Sequence, residues 1–123
     1  MKCKIVLCGE EKTQNFSCVG ELNVGKDSFS LTYVFNGDSC NLSYGGQLLR
    51  HEKRGEIPVL MEFDLNKKTL CRIGSGELLG QIPVFTKSLN VHMDAKSVRV
   101  SVFYELDGED KKMQIIAESI NAL

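Results

Sequence analysis

The segment at residues 48–55, which reads LLRHEKRG, is the strongest departure from the plain apolar–polar pattern of the chain. In an extended strand, alternate side chains share a face, so Arg50, Glu52 and Arg54 project together. A planar guanidinium can hold a carboxylate through paired hydrogen bonds, which makes Arg50 and Arg54 candidates for binding an anion at a barrel mouth. The sequence favours the other interpretation, an edge or corner strand whose charges are solvated, with Arg50 and Glu52 forming a weak pair.

Lys87 is a third candidate for an anion site. It has the same parity as Phe85, Leu89 and Val91, so a regular strand would direct its ammonium toward the core. A buried ammonium requires a carboxylate or an anionic ligand, unless a β-bulge resets the register and turns the side chain outward. The sequence favours the bulge and leaves the ligand as the alternative.

Tyr33 and Tyr104 are the remaining candidate ligand-binding residues. A tyrosine in a core position combines a large apolar ring with a polar tip, so these side chains can line a cavity or extend from the core to surface water. Together with Arg50, Arg54 and Lys87, they predict a site for a small apolar or anionic ligand inside the fold.

Catalytic and metal-binding motifs are absent from the sequence. His51 and His92 form neither an HxH nor an HExxH pair, and no Gly-x-Ser-x-Gly motif occurs. The glycine-rich segment at 74–80, GSGELLG, is followed by an apparent strand, whereas a phosphate loop precedes a helix. We therefore expect no enzyme activity, no metal and no cofactor.

The composition limits the classes of partner and the cellular compartment that we expect for the protein. The 15 basic and 16 acidic residues give a formal charge of −1, which favours neither nucleic acid nor an anionic membrane as a partner. The five cysteines form no CxxC pair and are expected to be reduced. Since the first apolar run, at residues 5–8, is too short for a signal peptide, the predicted location is cytoplasmic.

Nearly every segment alternates apolar and polar residues with a period of two, which is typical of strands with one buried face. The pattern predicts about ten strands, bounded by turn residues. They span residues 2–8, 15–24, 28–36, 39–44, 47–53, 57–65, 68–73, 82–92, 98–106 and 111–121. The inward set is expected to include Phe16, Leu22 and Val24, the alternate positions of 29–35, 57–65 and 98–106, and hence Ile57, Met61, Phe63, Leu65 and Val100.

The connections between these strands are too short for the crossovers of a parallel sheet, so consecutive strands should pair as antiparallel neighbours. One continuous inner lining and the need to hide sheet edges favour a closed barrel. The predicted architecture is a single domain, residues 1–123, forming an all-β, antiparallel, up-and-down barrel of about 8–10 strands. A β-sandwich is the alternative, since alternation alone does not separate the two.

The order of five short segments resembles the YwiB-like family of uncharacterised bacterial proteins. These segments are LTY at 31–33, KRGE at 53–56, LMEF at 60–63, GQIPVFT at 80–86 and VFYEL at 102–106. The resemblance implies a calycin-type, lipocalin-like β-barrel. It implies no particular activity and no catalytic residue.

Two functions from different classes follow from such a barrel. The first is binding of a small apolar or anionic molecule in the lumen, as a barrel of eight or more strands allows. The second is a protein–protein interaction module or homodimer with a filled core and no ligand. Phe103 and Ile116 have the parity of the outer face, so they are the predicted contacts of a dimer interface.

Overall fold

The computed structural model describes residues 1–8 and 15–120, which contain ten β-strands. The strands are β1 (Lys2–Cys8), β2 (Asn15–Val24), β3 (Phe29–Phe35), β4 (Asp38–Gly45), β5 (Leu48–Arg54), β6 (Val59–Asp64), β7 (Lys68–Ile73), β8 (Gly80–Met93), β9 (Ser97–Leu106) and β10 (Glu109–Ser119). Over the described residues all ten predicted segments are strands, with bounds that differ by at most two residues, and residue 121, the predicted end of the last strand, lies outside the described residues. The all-β prediction is confirmed.

The strands form one closed barrel in which each strand is antiparallel to its neighbours. Each strand pairs with the next in the chain, and β1 pairs with β10 to close the circle. Closure removes the two edges that an open meander would expose. The predicted up-and-down barrel is therefore correct, and the β-sandwich is excluded.

Several hairpins have turns of two residues. In the β3–β4 turn, Asn36 and Gly37 have φ angles of 52° and 82°, and in the β9–β10 turn Asp107 and Gly108 have 51° and 82°. Two successive residues with positive φ form the type I′ turn, whose twist matches that of paired strands. The helical structure in the described chain is one 3₁₀ turn, Gly76–Leu78, and no described helix is long and apolar enough to cross a membrane.

The inner face of the barrel contains the predicted alternating apolar residues. Leu31, Phe63 and Val100 are at most 1% exposed. Phe16, at the start of β2, is 47% exposed, and the prediction is wrong for Ile57 and Leu65, which are 61% and 43% exposed. Because β6 spans only Val59–Asp64, these two residues lie beyond its ends, where the period of two no longer applies.

Strand β8 changes register at the predicted β-bulge, which lies between Thr86 and Ser88. Val84 and Thr86 are buried before the bulge, so the inward parity expected for Phe85 is wrong. Lys87 is turned outward, where its Nζ lies 2.7 Å from Oδ1 of Asp110. The favoured bulge is confirmed, and the alternative of an inward Lys87 facing a ligand is wrong.

Candidate functional site

A cavity of about 310 Å³ lies at one end of the barrel, where β1, β3 and β5 end and β2, β4 and β10 begin. We call it the mouth cavity. Most of its lining is apolar, and polar groups come from β3, β4, β5 and β10. The lining residues are Leu7, Cys8, Phe16, Tyr33, Phe35, Cys40, His51, Lys53, Met113, Gln114 and Ile115.

Strand β5 supplies a histidine and a lysine to the mouth cavity. Its inward residues are Leu49, which is fully buried, then His51 and Lys53. The register places Lys53 opposite Cys40 on β4, and Cys40 opposite Tyr33 on β3. Tyr33, Cys40 and Lys53 therefore form a row across three strands, and His51 lies two residues deeper on β5.

A hydrogen bond of 3.1 Å joins the Tyr33 hydroxyl to Nε2 of His51, with the donor set by the imidazole tautomer. Burial, and then the nearby Lys53 ammonium, lowers the pKa of His51 to about 4. Burial also raises the pKa of the Tyr33 phenol. Both side chains are consequently uncharged at neutral pH, and they form a polar pair in an apolar wall.

Cys40 and Lys53 lie beside this pair. Burial raises the pKa of the Cys40 thiol, although the Lys53 ammonium opposes that change. The group is therefore a neutral thiol at pH 7 and a weak nucleophile. Lys53 is at the rim, with its side chain 41% exposed and its Nζ 3.7 Å from Oδ2 of Asp38.

The predicted tyrosines occupy different parts of the interior. Tyr33 lines the mouth cavity, as the sequence predicts. Tyr104 is buried, and its ring packs edge-on against Phe63 with 4.8 Å between centroids. Tyr104 is therefore a core residue and is not among those that line the mouth cavity.

Arg50 and Arg54 lie on the outer face of β5, as the favoured interpretation of a solvated strand expects, and the alternative that they bind an anion in the barrel mouth is not supported. Their guanidinium groups pair with Glu52, at 4.0 Å from Arg50 Nη2 and 2.5 Å from Arg54 Nε. With Lys87 also outside, none of the three predicted cations reaches the mouth cavity. The physical reason is that Leu49, with the opposite parity, takes the buried position on β5.

Phe103 and Ile116 are on the outer face, but they do not form the single patch expected from the sequence. Phe103 lies opposite Lys112, and Ile116 lies opposite Arg99. Four residues along β9 separate the two positions, or roughly 13 Å at the rise of a strand. The Lys87 ammonium is 5.7 Å from the centroid of the Phe103 ring and partly covers it.

His51, Lys53 and Cys40 are the mouth residues that the sequence did not single out as ligand-binding. Both faces of β5 contain charged or polar groups, which obscures its inward face. The useful signal is the parity of Leu49, because His51 and Lys53 follow at two-residue steps from a side chain that is fully buried.

Comparison with known proteins agrees with this architecture. The family described as "Domain of unknown function (DUF1934)" matches residues 2–117. A solved structure, the ywiB protein from Bacillus subtilis, is similar with a TM-score of 0.77 and 15% identity, covering 96% of this chain and 89% of that chain. No curated protein matches the chain. The ywiB likeness shows the fold, which fits a calycin-like barrel, and the match over residues 2–117 shows that the chain belongs to the DUF1934 family.

Proposed function

We propose that the mouth cavity binds a small molecule with an apolar body and an anionic head group. The observation that carries this proposal is the hydrogen-bonded Tyr33–His51 pair, set in an apolar wall beside the partly exposed ammonium of Lys53. Binding pockets typically combine a mainly apolar lining with a few polar groups that orient the ligand.

The size of the cavity limits the ligand. A volume of about 310 Å³ is near the lower end of the range for small-molecule pockets, about 300–1,000 Å³. Leu7, Phe35 and Met113 offer apolar contacts to the body of such a molecule. A short-chain or single-ring compound fits this volume better than a large lipid does.

Lys53 is the group suited to the anionic head. Its ammonium has three donors, and its pair with Asp38 is 3.7 Å long and partly solvated. A ligand carboxylate at the rim can therefore share the ammonium at little cost. The Tyr33 hydroxyl and His51 offer neutral hydrogen-bonding groups deeper in the cavity.

Binding is favoured over catalysis because burial moves the pKa values of His51, Tyr33 and Cys40 away from pH 7. The pKa of His51 lies at about 4, and those of Tyr33 and Cys40 are raised by burial. We also propose a cytoplasmic location, because the structure leaves all five cysteines as free thiols, which is typical of a reducing compartment.

The test compares octanoate with 1-octanol, which have the same chain length but differ in charge. Each is titrated into ¹⁵N-labelled protein below its aggregation limit, and amide shifts are followed by NMR. We expect saturable shifts near Tyr33, Phe35 and Met113, with octanoate binding more tightly than octanol.

Two variants identify the head-group contact. Lys53→Met should weaken the binding of octanoate about tenfold, which corresponds to about 1.4 kcal/mol, and should leave the binding of octanol unchanged. Lys4→Met, on the exposed outer face of β1, is the control and should change the binding of neither ligand. Shifts that avoid the mouth, or equal losses in both variants, would contradict the proposal and favour an interaction module without a ligand.

A further inference from the structure

A second concave site lies on the outside of the barrel, across β5, β6 and β7. This groove has a volume of about 390 Å³ and is bounded at one end by Gly74, Ser75 and Leu79. Its walls include Arg50, Arg54 and Arg72. We call it the arginine groove.

The register explains why the three arginines surround one space. Glu52 on β5 lies opposite Leu60 on β6, and Leu60 lies opposite Arg72 on β7. Arg50 and Arg54 are the residues two positions before and after Glu52. At about 4.8 Å between neighbouring strands, the Cα atoms of Glu52 and Arg72 are about 10 Å apart, and long arginine side chains can span this distance above Leu60.

The charges in the arginine groove are not balanced. Glu52 is the acidic residue of its lining, and hydrogen bonding from Arg54 lowers the pKa of that carboxyl. One carboxylate thus faces two guanidinium groups. Arg72 forms no ion pair with any residue of the described chain, and Glu62, opposite Arg50 in the register, is likewise unpaired there. The three arginines and Glu52 leave an excess of two positive charges, and the remaining basic residue of the lining, Lys53, pairs with Asp38.

We propose that the arginine groove binds the phosphate group of a small organic phosphate. A phosphate monoester has a charge of about −1.5 to −2 at pH 7, which matches this excess. Guanidinium groups bind phosphate oxygens through paired hydrogen bonds. Pro58, Leu60 and Leu79 supply apolar surface for the organic part of the ligand.

The arginine groove is a different site from the mouth cavity. Lys53 borders both, but Arg50, Arg54 and Arg72 contribute only to the groove, and Tyr33 and His51 only to the cavity. The two proposals can therefore succeed or fail separately, because the variants that test the arginine groove leave Lys53 and the rest of the mouth cavity unchanged.

The experiment measures binding of phenyl phosphate, which combines a phosphate dianion with a small apolar ring, by NMR titration at pH 8. Benzoate, with the same ring and one charge, is the comparison ligand. We expect phenyl phosphate to saturate one site, with amide shifts at Leu60, Arg72 and Ser75, and benzoate to bind at least tenfold more weakly.

The variants replace exposed arginines on different strands of the barrel, inside and outside the arginine groove. Arg72→Met and Arg54→Met should each weaken phenyl phosphate at least tenfold, whereas Arg99→Met, on the exposed outer face of β9, should change binding less than twofold. Octanoate binding should be unaffected in Arg72→Met. Equal losses in the Arg72 and Arg99 variants, or shifts that never saturate, would overturn the proposal, because either result indicates general attraction to surface charge.

Discussion

The Tyr33 hydroxyl and His51 Nε2 form a hydrogen bond on the inner face of the barrel. Tyr33 is on β3 and His51 is on β5, so the bond joins two strands that are separated by β4. The bond holds a neutral imidazole in a place from which an imidazolium is disfavoured. This relationship couples the protonation of one side chain to the stability of the fold.

The coupling predicts a pH dependence of unfolding. An unfolded histidine has a pKa near 6.5, whereas folded His51 has a pKa of about 4. Between these pH values the unfolded chain binds a proton that the native protein does not. The native protein therefore loses stability as the pH decreases from about 6.5 to about 4. The loss should be at most about 3 kcal/mol, measured by urea unfolding at a series of pH values.

A matched pair of variants isolates this effect from that of the carboxylates. His51→Gln should remove the part of the pH dependence that lies between 6.5 and 4, whatever its effect on stability at pH 7. His92→Gln, on the exposed outer face of β8, should retain it. Identical pH slopes in the wild type and His51→Gln would contradict the prediction.

Val100 tests the inner register of the barrel. It is 1% exposed on β9, between Val98 and Val102, so Val100→Asp places an unpaired carboxylate in the core. A cost of at least about 3 kcal/mol is expected, a large part of the stability of a typical domain. Arg99→Asp, one residue away on the outer face, should leave the thermal midpoint within a few degrees by circular dichroism. An unchanged midpoint for Val100→Asp would disprove the register.

Gly20 tests the close approach of β2 to β3. A Cβ atom at this position would overlap the Thr32 carbonyl oxygen and lie 2.7 Å from Ile5 Cδ1. Since backbone cannot move aside easily, Gly20→Ala should destabilise the protein by about 2–3 kcal/mol in urea unfolding. The control is Gly80→Ala, whose Cβ would be 3.7 Å from the Ile73 carbonyl oxygen and should fit. Similar stabilities for the two variants would be inconsistent with this packing.

Phe103 allows the predicted homodimer and a local interaction to be tested together. Phe103→Leu keeps an apolar side chain but loses the ring beneath Lys87, so it should cost about 0.5–1 kcal/mol. Phe103→Ser removes the apolar surface as well. If Phe103 mediates association, light scattering should show a dimer that only the serine variant disrupts, whereas a monomer at high concentration or a serine variant that dimerises fully would argue against it.

The sequence was sufficient to predict strands and topology because a period of two and short turns are local properties. It was insufficient for the orientation of β5, because Arg50 and Lys53 put charge on opposite faces and only pairing with β4 and β6 decides between them. The same limit explains Phe85, whose face depends on where the bulge lies. The inward parity of Lys87 indicated a bulge in β8, but the position of the register shift at Thr86 depends on the pairing of β8 with β9.

For the same reason, only part of the candidate site could be predicted from the sequence. Tyr33 lies on a strand with clear alternation, so its inward position followed directly from the sequence. His51 and Lys53 depend on the orientation of β5, and the arginine groove depends on the neighbouring positions of Glu52, Leu60 and Arg72 on three strands. Side chains that meet across strands come together only once the register of each pair is known.

The pairing of β1 with β10 gives the barrel a seam. Every other strand pairing joins neighbours in the chain, whereas this one joins residues more than a hundred positions apart through six residue pairs. Closing so long a loop has a high entropic cost, so the pairings of consecutive strands from β1 to β10 can form before β1 pairs with β10. The seam should therefore form last during folding and open first in partial unfolding. Amide hydrogens bonded between β1 and β10 should exchange with solvent sooner than those bonded between β9 and β10.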